Sequence, residues 1–276
     1  SVACVLSLLL ATEAFANGPA GNPKDQAADF RQLGTALPSP NVYRNAAGAP
    51  GPDYWQQRAD YKIDAVLDES KRRISAEMSV TYYNNSPDDL TYIWLALDQN
   101  RFKNSSLARM SEVASAAGTR RDAAGKGDQY PLAALRRQQA YPDSADEFEF
   151  SSLTYADGSP IDYIINDSMM RLNLATPLAP GASVAFNINW EHNIIDEEGV
   201  GGRGGYEYFK EDDNYIFAIA QWFPRLAAYT DYTGWQNKQF LGRGEFTLEF
   251  GDYDVNLTVP SDHVVSASGV LQNPRR

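Results

Sequence analysis

The sequence predicts a mostly β domain, an antiparallel sheet or sandwich with a partly helical insertion near residues 104–141. Three observations carry that expectation. Apolar residues recur with period two in short runs, as half-buried strands require. Between the runs stand clusters of Gly, Pro, Asn and Asp, the residues of turns. No self-similarity appears at the period of about 20–50 residues that marks a repeat architecture.

The elements follow in order. Tyr61, Ile63, Ala65 and Leu67 alternate with polar residues, and Asp68-Glu69-Ser70-Lys71 reads as a turn. Ile74, Ala76, Met78, Val80 and Tyr82 alternate again, Asn84-Asn85-Ser86-Pro87-Asp88 turns the chain, and Leu90 to Leu97 is the next strand. Three strands so closely spaced predict an antiparallel meander. From Asn104 to Tyr141 the rhythm breaks into Ala, Arg, Ser and Gln, which predicts the insertion. Strands are expected again at Glu147–Thr154, Ile161–Ile165 and Met169–Leu174. Pro177, Pro180 and Gly181 then form a turn into Val184, Phe186, Ile188 and Trp190. The last strands are expected at Ile216–Ala220, Glu245–Phe250, Val255–Val259 and Val264–Ala267.

Composition bounds the function. The chain has 276 residues, 43% of them hydrophobic, enough for a packed core. Its 24 Lys and Arg against 36 Asp and Glu give a net charge of -12, which disfavours nucleic acid and anionic membrane surfaces as partners. Val5 to Ala11 is apolar and Ala14-Phe15-Ala16 has the small-x-small form of a signal-peptidase site, so residues 1–16 read as part of an export signal. The run falls short of the ~20 residues a membrane span needs. The expected location is therefore the periplasm or the medium. Cys4 is the only cysteine, so cleavage after Ala16 leaves no thiol for a disulfide, a metal or a nucleophile. Residues 17–53, rich in Gly, Pro, Ala and Asn, read as a flexible leader, and 54–276 as the β domain.

Several chemistries lack their parts. There is no H-E-x-x-H, no G-x-S-x-G and no D-x-D-x-D-G in the chain. The only histidines, His192 and His263, fall at a strand end and in a turn and read as hydrogen-bonded structural residues. Gly199, Gly201 and Gly204 fit G-x-G-x-x-G, but Asp196, Glu197 and Glu198 before them would repel a phosphate, so the run reads as a glycine loop. Glu198 with Asp212 is one of many chance carboxylate pairs and does not support a glycosidase. Sixteen Tyr and five Trp keep a second class open, a stand-alone exported β-sandwich that binds glycans or proteins.

Tyr215 to Pro274 is the most distinctive stretch. It holds Ala220-Gln221-Trp222-Phe223-Pro224-Arg225, Gly234-Trp235 and Gly244-Glu245-Phe246. Tyr253-Asp254-Val255 then runs through Thr258-Val259-Pro260 to Ala267-Ser268-Gly269. Upstream are Tyr61 to Asp68, Ile74 to Tyr83, and Leu178-Ala179-Pro180-Gly181 leading into Val184 to Trp190. In this order the pieces resemble the N-terminal domain of the aminopeptidase N-like gluzincin zinc metallopeptidases, the relatives of leukotriene hydrolase. The resemblance spans about Tyr54 to Pro274. It implies a saddle-shaped antiparallel β domain that docks a separate C-terminal catalytic domain and helps close its peptide cleft.

The same resemblance implies a site residue. Gln221 matches the family glutamine that meets the free amino terminus of a peptide substrate, although Ala220 stands where the family more often has Thr. It also implies zinc in the full-length protein, held by G-x-M-x-N/H-E-x-x-H-type elements that do not occur up to Arg276. For this chain alone the expectation is therefore no catalytic residue, no metal ligand, no cofactor and no activity. Arg225 and Asp231 are expected to be buried or interfacial polar anchors.

Overall fold

The computed structural model describes residues 40–111, 147–197, 204–242 and 247–273. They form two packed sheets and two small hairpins, a mostly β domain as the alternation predicts. In the first sheet β1 (Arg58–Asp68) and β2 (Arg73–Tyr83) make an antiparallel hairpin. The other side of β2 is taken by β7 (Ser183–Asn193) over eleven residue pairs, and β4 (Glu149–Tyr155) completes that flank. At the opposite edge β13 (Tyr253–Thr258) runs parallel to β1, the one parallel pairing among the described ladders.

The second sheet has the order β10 (Arg225–Leu226), β3 (Leu90–Ala96), β6 (Met169–Leu178), β5 (Asp162–Asn166). Period-two alternation turns one face of each sheet toward the other. Ile63, Met78 and Ile188 of the first sheet join Ile93, Leu95, Met170 and Leu172 of the second in one apolar cluster, each at most 1% exposed. Burial of each such side chain contributes about 1.5–3 kcal/mol.

The expected three-strand meander is not formed. β1 and β2 pair as predicted, but β3 leaves for the second sheet, and β7 takes its place beside β2. The reason lies in the turn after β2. The Asn84 amide donates to the carbonyls of Asp88 (2.7 Å) and Leu178 (2.8 Å). Its oxygen accepts from Gln57 Nε2 (3.0 Å) and Ser86 Oγ (2.6 Å). This buried knot satisfies the backbone where the chain crosses between layers.

Three other expectations shift. β6 runs through Pro177 to Leu178 instead of ending at Leu174, with a register irregularity on its β3 side, a place where a proline is tolerated. The expected strand at 264–267 does not form: these residues pair with nothing in the sheets, and Val264 is 98% exposed. Of the expected strand at 245–250, residues 248 and 250 make isolated bridges to Ala227 and Arg58, and 245 and 246 lie outside the described residues. The strand expected at Ile216–Ala220 forms two residues earlier, as β9 (Asn214–Ala218), in a hairpin with β8 (Gly205–Phe209), and β11 (Tyr229–Thr230) with β12 (Gly234–Trp235) makes a hairpin that alternation does not announce.

The insertion begins with a capped turn of helix, α1 (Leu107–Met110), where Ser106 Oγ accepts from Arg109 N. Its residues 112–141 lie outside the described residues, as do the export signal, Cys4, Glu198, and Gly199 and Gly201 of the glycine loop. Residues 41–51, read as leader, carry backbone hydrogen bonds of their own, including Gly51 N to Tyr43 O at 2.7 Å. No helix among the described residues is long and apolar enough to cross a membrane.

Candidate functional site

Ala220 to Arg225, one of the pieces on which the resemblance rests, leads from β9 into β10. Trp222 and Phe223 anchor it. The Trp222 ring centroid lies 5.8 Å from that of Trp190 and 5.1 Å from Phe223, and Phe223 meets Tyr61 edge-on at 5.6 Å. The Tyr61 hydroxyl accepts from Leu226 N at 2.9 Å, and burial pushes its ionisation far up, so it stays a neutral phenol.

Gln221 has φ 54°, in the left-handed region that a residue with a Cβ seldom occupies. Such a conformation persists only where the surroundings hold it. Here the 3₁₀ turn Asp98–Phe102 does so. Gln99 Nε2 donates to the carbonyls of both Ala220 (2.8 Å) and Gln221 (3.1 Å). Its neighbour Asp98, 1% exposed, receives the Arg225 guanidinium, with Arg225 Nε at 2.8 Å. Burial raises the Asp98 carboxyl, against the downward pull of Arg225. The carboxamide of Gln221 itself makes no hydrogen bond among the described residues.

Arg225 and Asp231 are thus both polar anchors. Asp231 is buried and accepts from Arg44 Nε through both oxygens, at 2.8 and 2.9 Å. Arg44 also lies over the Tyr54 and Tyr232 rings at 5.0 and 5.5 Å, so a leader residue is tied into the domain.

His192 is a core residue, 1% exposed, between Phe148 and Trp190. Its ring nitrogens face the carbonyls of Asn193 (2.8 Å) and Trp222 (3.0 Å). Burial lowers its pKa, and the two carbonyls only partly offset that. It therefore helps hold the Trp222 end of the loop. The residues present do not fit a catalytic zinc, since the one histidine near the loop is committed to backbone.

The fold also assembles groups that no local motif announces. Glu249, 8% exposed, accepts from Tyr229 N at 2.7 Å, and burial pushes its pKa up to about 7. Glu69, Asp262 and His263 converge from two turns, with one ligand atom from each within 4.8 Å of the others. Gln99, Glu249 and Glu69 are each distant in sequence from their partners, so spacing held no signal for them.

No protein-family model and no curated protein matches the chain. Solved structures do. The M1 zinc metallopeptidase from Deinococcus radiodurans matches with TM-score 0.39 and 12% identity over 80% of this chain and 36% of that one. A point mutant of that enzyme matches with TM-score 0.38 and 13% identity over 80% and 37%. The mutant bound to a Tyr-Ser-Ala substrate matches with TM-score 0.38 and 12% identity over 78% and 35%. The chain thus spans little more than a third of each neighbour. These neighbours bear the name of the enzymes that the sequence resembles; a likeness at that score carries no weight for the chemistry of this chain.

Proposed function

We propose that residues 54–276 are the N-terminal β domain of an exported zinc-dependent aminopeptidase-like protein. In this reading the domain forms one wall of the substrate cleft and docks a C-terminal catalytic domain. It is inactive alone. Zinc and its activated water belong to the complete protein.

One observation carries the reading: Ala220 to Arg225, the piece of the resemblance that holds Gln221, is clamped by the fold. Gln99, the Asp98–Arg225 pair and His192 all hold that loop, and they leave the Gln221 carboxamide without an internal partner. A side-chain carbonyl so presented can accept from the ammonium at a peptide's amino end. The exposed apolar residues of the C-terminal region, Tyr253, Val255, Leu257, Val264, Val270 and Leu271, suit a docking face better than the outside of a stand-alone binding module.

The test is to read the parent gene beyond Arg276 and express the product. The expected frame carries H-E-x-x-H with a glutamate about 18 residues later. The longer protein should release amino-terminal residues from peptides, and Gln221→Ala should raise KM for them about tenfold while the isolated chain stays inactive. A frame without that motif overturns the reading and leaves the glycan- or protein-binding module.

A further inference from the structure

The second site stands at the end of the first sheet where β1 turns into β2. β13 pairs parallel to β1, with Thr258 beside Val66, so both strands leave the sheet on the same side. β1 enters the turn that holds Glu69. β13 enters a turn closed by His263 N donating to Pro260 O at 3.1 Å, which brings Asp262 and His263 over Glu69. The imidazole lies with Nδ1 3.2 Å from Asp262 Oδ1 and Nε2 3.6 Å from Glu69 Oε2, and the Phe217 ring lies 5.9 Å from it.

Nε2 is shut off from solvent and has no hydrogen-bond partner. Its distance to Glu69 is beyond the 2.7–3.2 Å or so of an N–H···O bond. It is close to the separation of two ligands on one tetrahedral ion: at metal–ligand distances of about 2.0–2.1 Å they stand about 3.4 Å apart. Asp262 accounts for the other nitrogen. By accepting from Nδ1–H it fixes the tautomer that leaves a lone pair on Nε2 facing Glu69, the carboxylate–histidine–metal arrangement. Of the cations on the turn, Lys71 is paired with Asp68 at 2.9 Å and Arg72 lies over the Tyr206 ring at 5.3 Å.

We propose that Glu69 and His263 bind a divalent transition-metal ion, oriented by Asp262. A mixed imidazole and carboxylate set suits Zn2+, whereas Ca2+ and Mg2+ prefer oxygen alone. The ion joins the β1–β2 turn to the segment after β13 and so fastens the edge strand. This proposal departs from the expectation that the chain takes no metal, which rested on motif spacing. It is independent of the peptidase reading, because it concerns this chain and no substrate.

The experiment is a Zn2+ titration of the untagged, chelator-stripped chain by calorimetry, with competition by a chromophoric chelator. One equivalent is expected, with a raised thermal midpoint and no competition from Ca2+. Glu69→Gln and His263→Ala should each weaken binding by more than tenfold, and Asp262→Asn by about tenfold. His263→Gln, which keeps a polar side chain, should bind no better than His263→Ala. The proposal is overturned if the wild-type chain binds no zinc, or if both ligand variants bind it as tightly as wild type, as an acidic surface holding ions loosely would. Far-UV circular dichroism confirms that each variant retains its sheets.

Discussion

β2 and β13 lie two strands apart in the same sheet and carry the same alternation of apolar residues. In β2, Ile74, Ala76, Met78, Val80 and Tyr82 are each at most 6% exposed, whereas in β13 Tyr253, Val255 and Leu257 are 50, 40 and 39% exposed. They are ends of common rows. Val255 pairs with Ile63, Ile63 with Met78, Met78 with Ile188 and Ile188 with Leu153. Exposure along that row is 40, 0, 1, 0 and 6%. The backbone ladder and the chemistry continue to the edge, but no residue of β13 joins the buried core. Alternation therefore specifies a strand and its inward face; burial needs a second layer opposite it.

The largest test of this contrast is electrostatic. Asp98→Ala would remove the carboxylate that receives the Arg225 guanidinium, whose side chain is 12% exposed. A broken buried pair costs about 3–5 kcal/mol, measurable as a drop in the urea midpoint. At the edge, Asp252→Ala removes the 2.6 Å contact to Arg58 in a pair whose side chains are 47 and 86% exposed. That loss should be much the smaller of the two, because solvent screens an exposed pair. Equal costs would show that the interior is no more tightly held than the edge.

The apolar counterpart comes next. Ile188→Ala, at 0% exposure in the middle of the row, should cost about 2–5 kcal/mol through lost transfer energy and the cavity left behind. Val255→Ala, in the same row, should cost about 1 kcal/mol or less. If Val255→Ala matches Ile188→Ala, β13 is covered in solution and the edge is not free.

Much of the β architecture was legible because it rests on local period. The β1–β2 hairpin, β7 and β13 all follow from alternation and turn residues. The sheet assignment of β3 was not legible, because the decision is made by Asn84, whose amide bonds Leu178 from a distant part of the chain. The edge position of β13 is likewise hidden. Gly251 admits it there, since a Cβ at that position would fall 1.6 Å from the Ala59 carbonyl oxygen, yet a lone glycine carries no such message in sequence. At the candidate site, Gln221 was named from its neighbours in sequence. Its left-handed backbone and the Gln99 bonds that hold it are tertiary facts, as is the meeting of Glu69 with His263.

A pH-dependent effect sharpens the contrast from the other side, since the exposed C-terminal region contributes the buried carboxyl of Glu249. Glu249 has a folded pKa of about 7 against an ordinary 4.5, because burial disfavours its carboxylate more than the Tyr229 N–H supports it. The folded state thus holds a proton that the unfolded state has released between these values, and stability falls as pH rises through that window. The contribution is complete below about pH 4.5 and lost above about pH 7. At about 1.4 kcal/mol per pH unit over that window it amounts to about 3.5 kcal/mol at most. Glu249→Gln keeps an oxygen for Tyr229 N and removes the titration. Urea midpoints measured from pH 4.5 to 8 should fall less steeply for this variant than for wild type, and at pH 8 the variant should be the more stable of the two. Parallel curves would mean that Glu249 is solvated and that the last described strands open together with the edge.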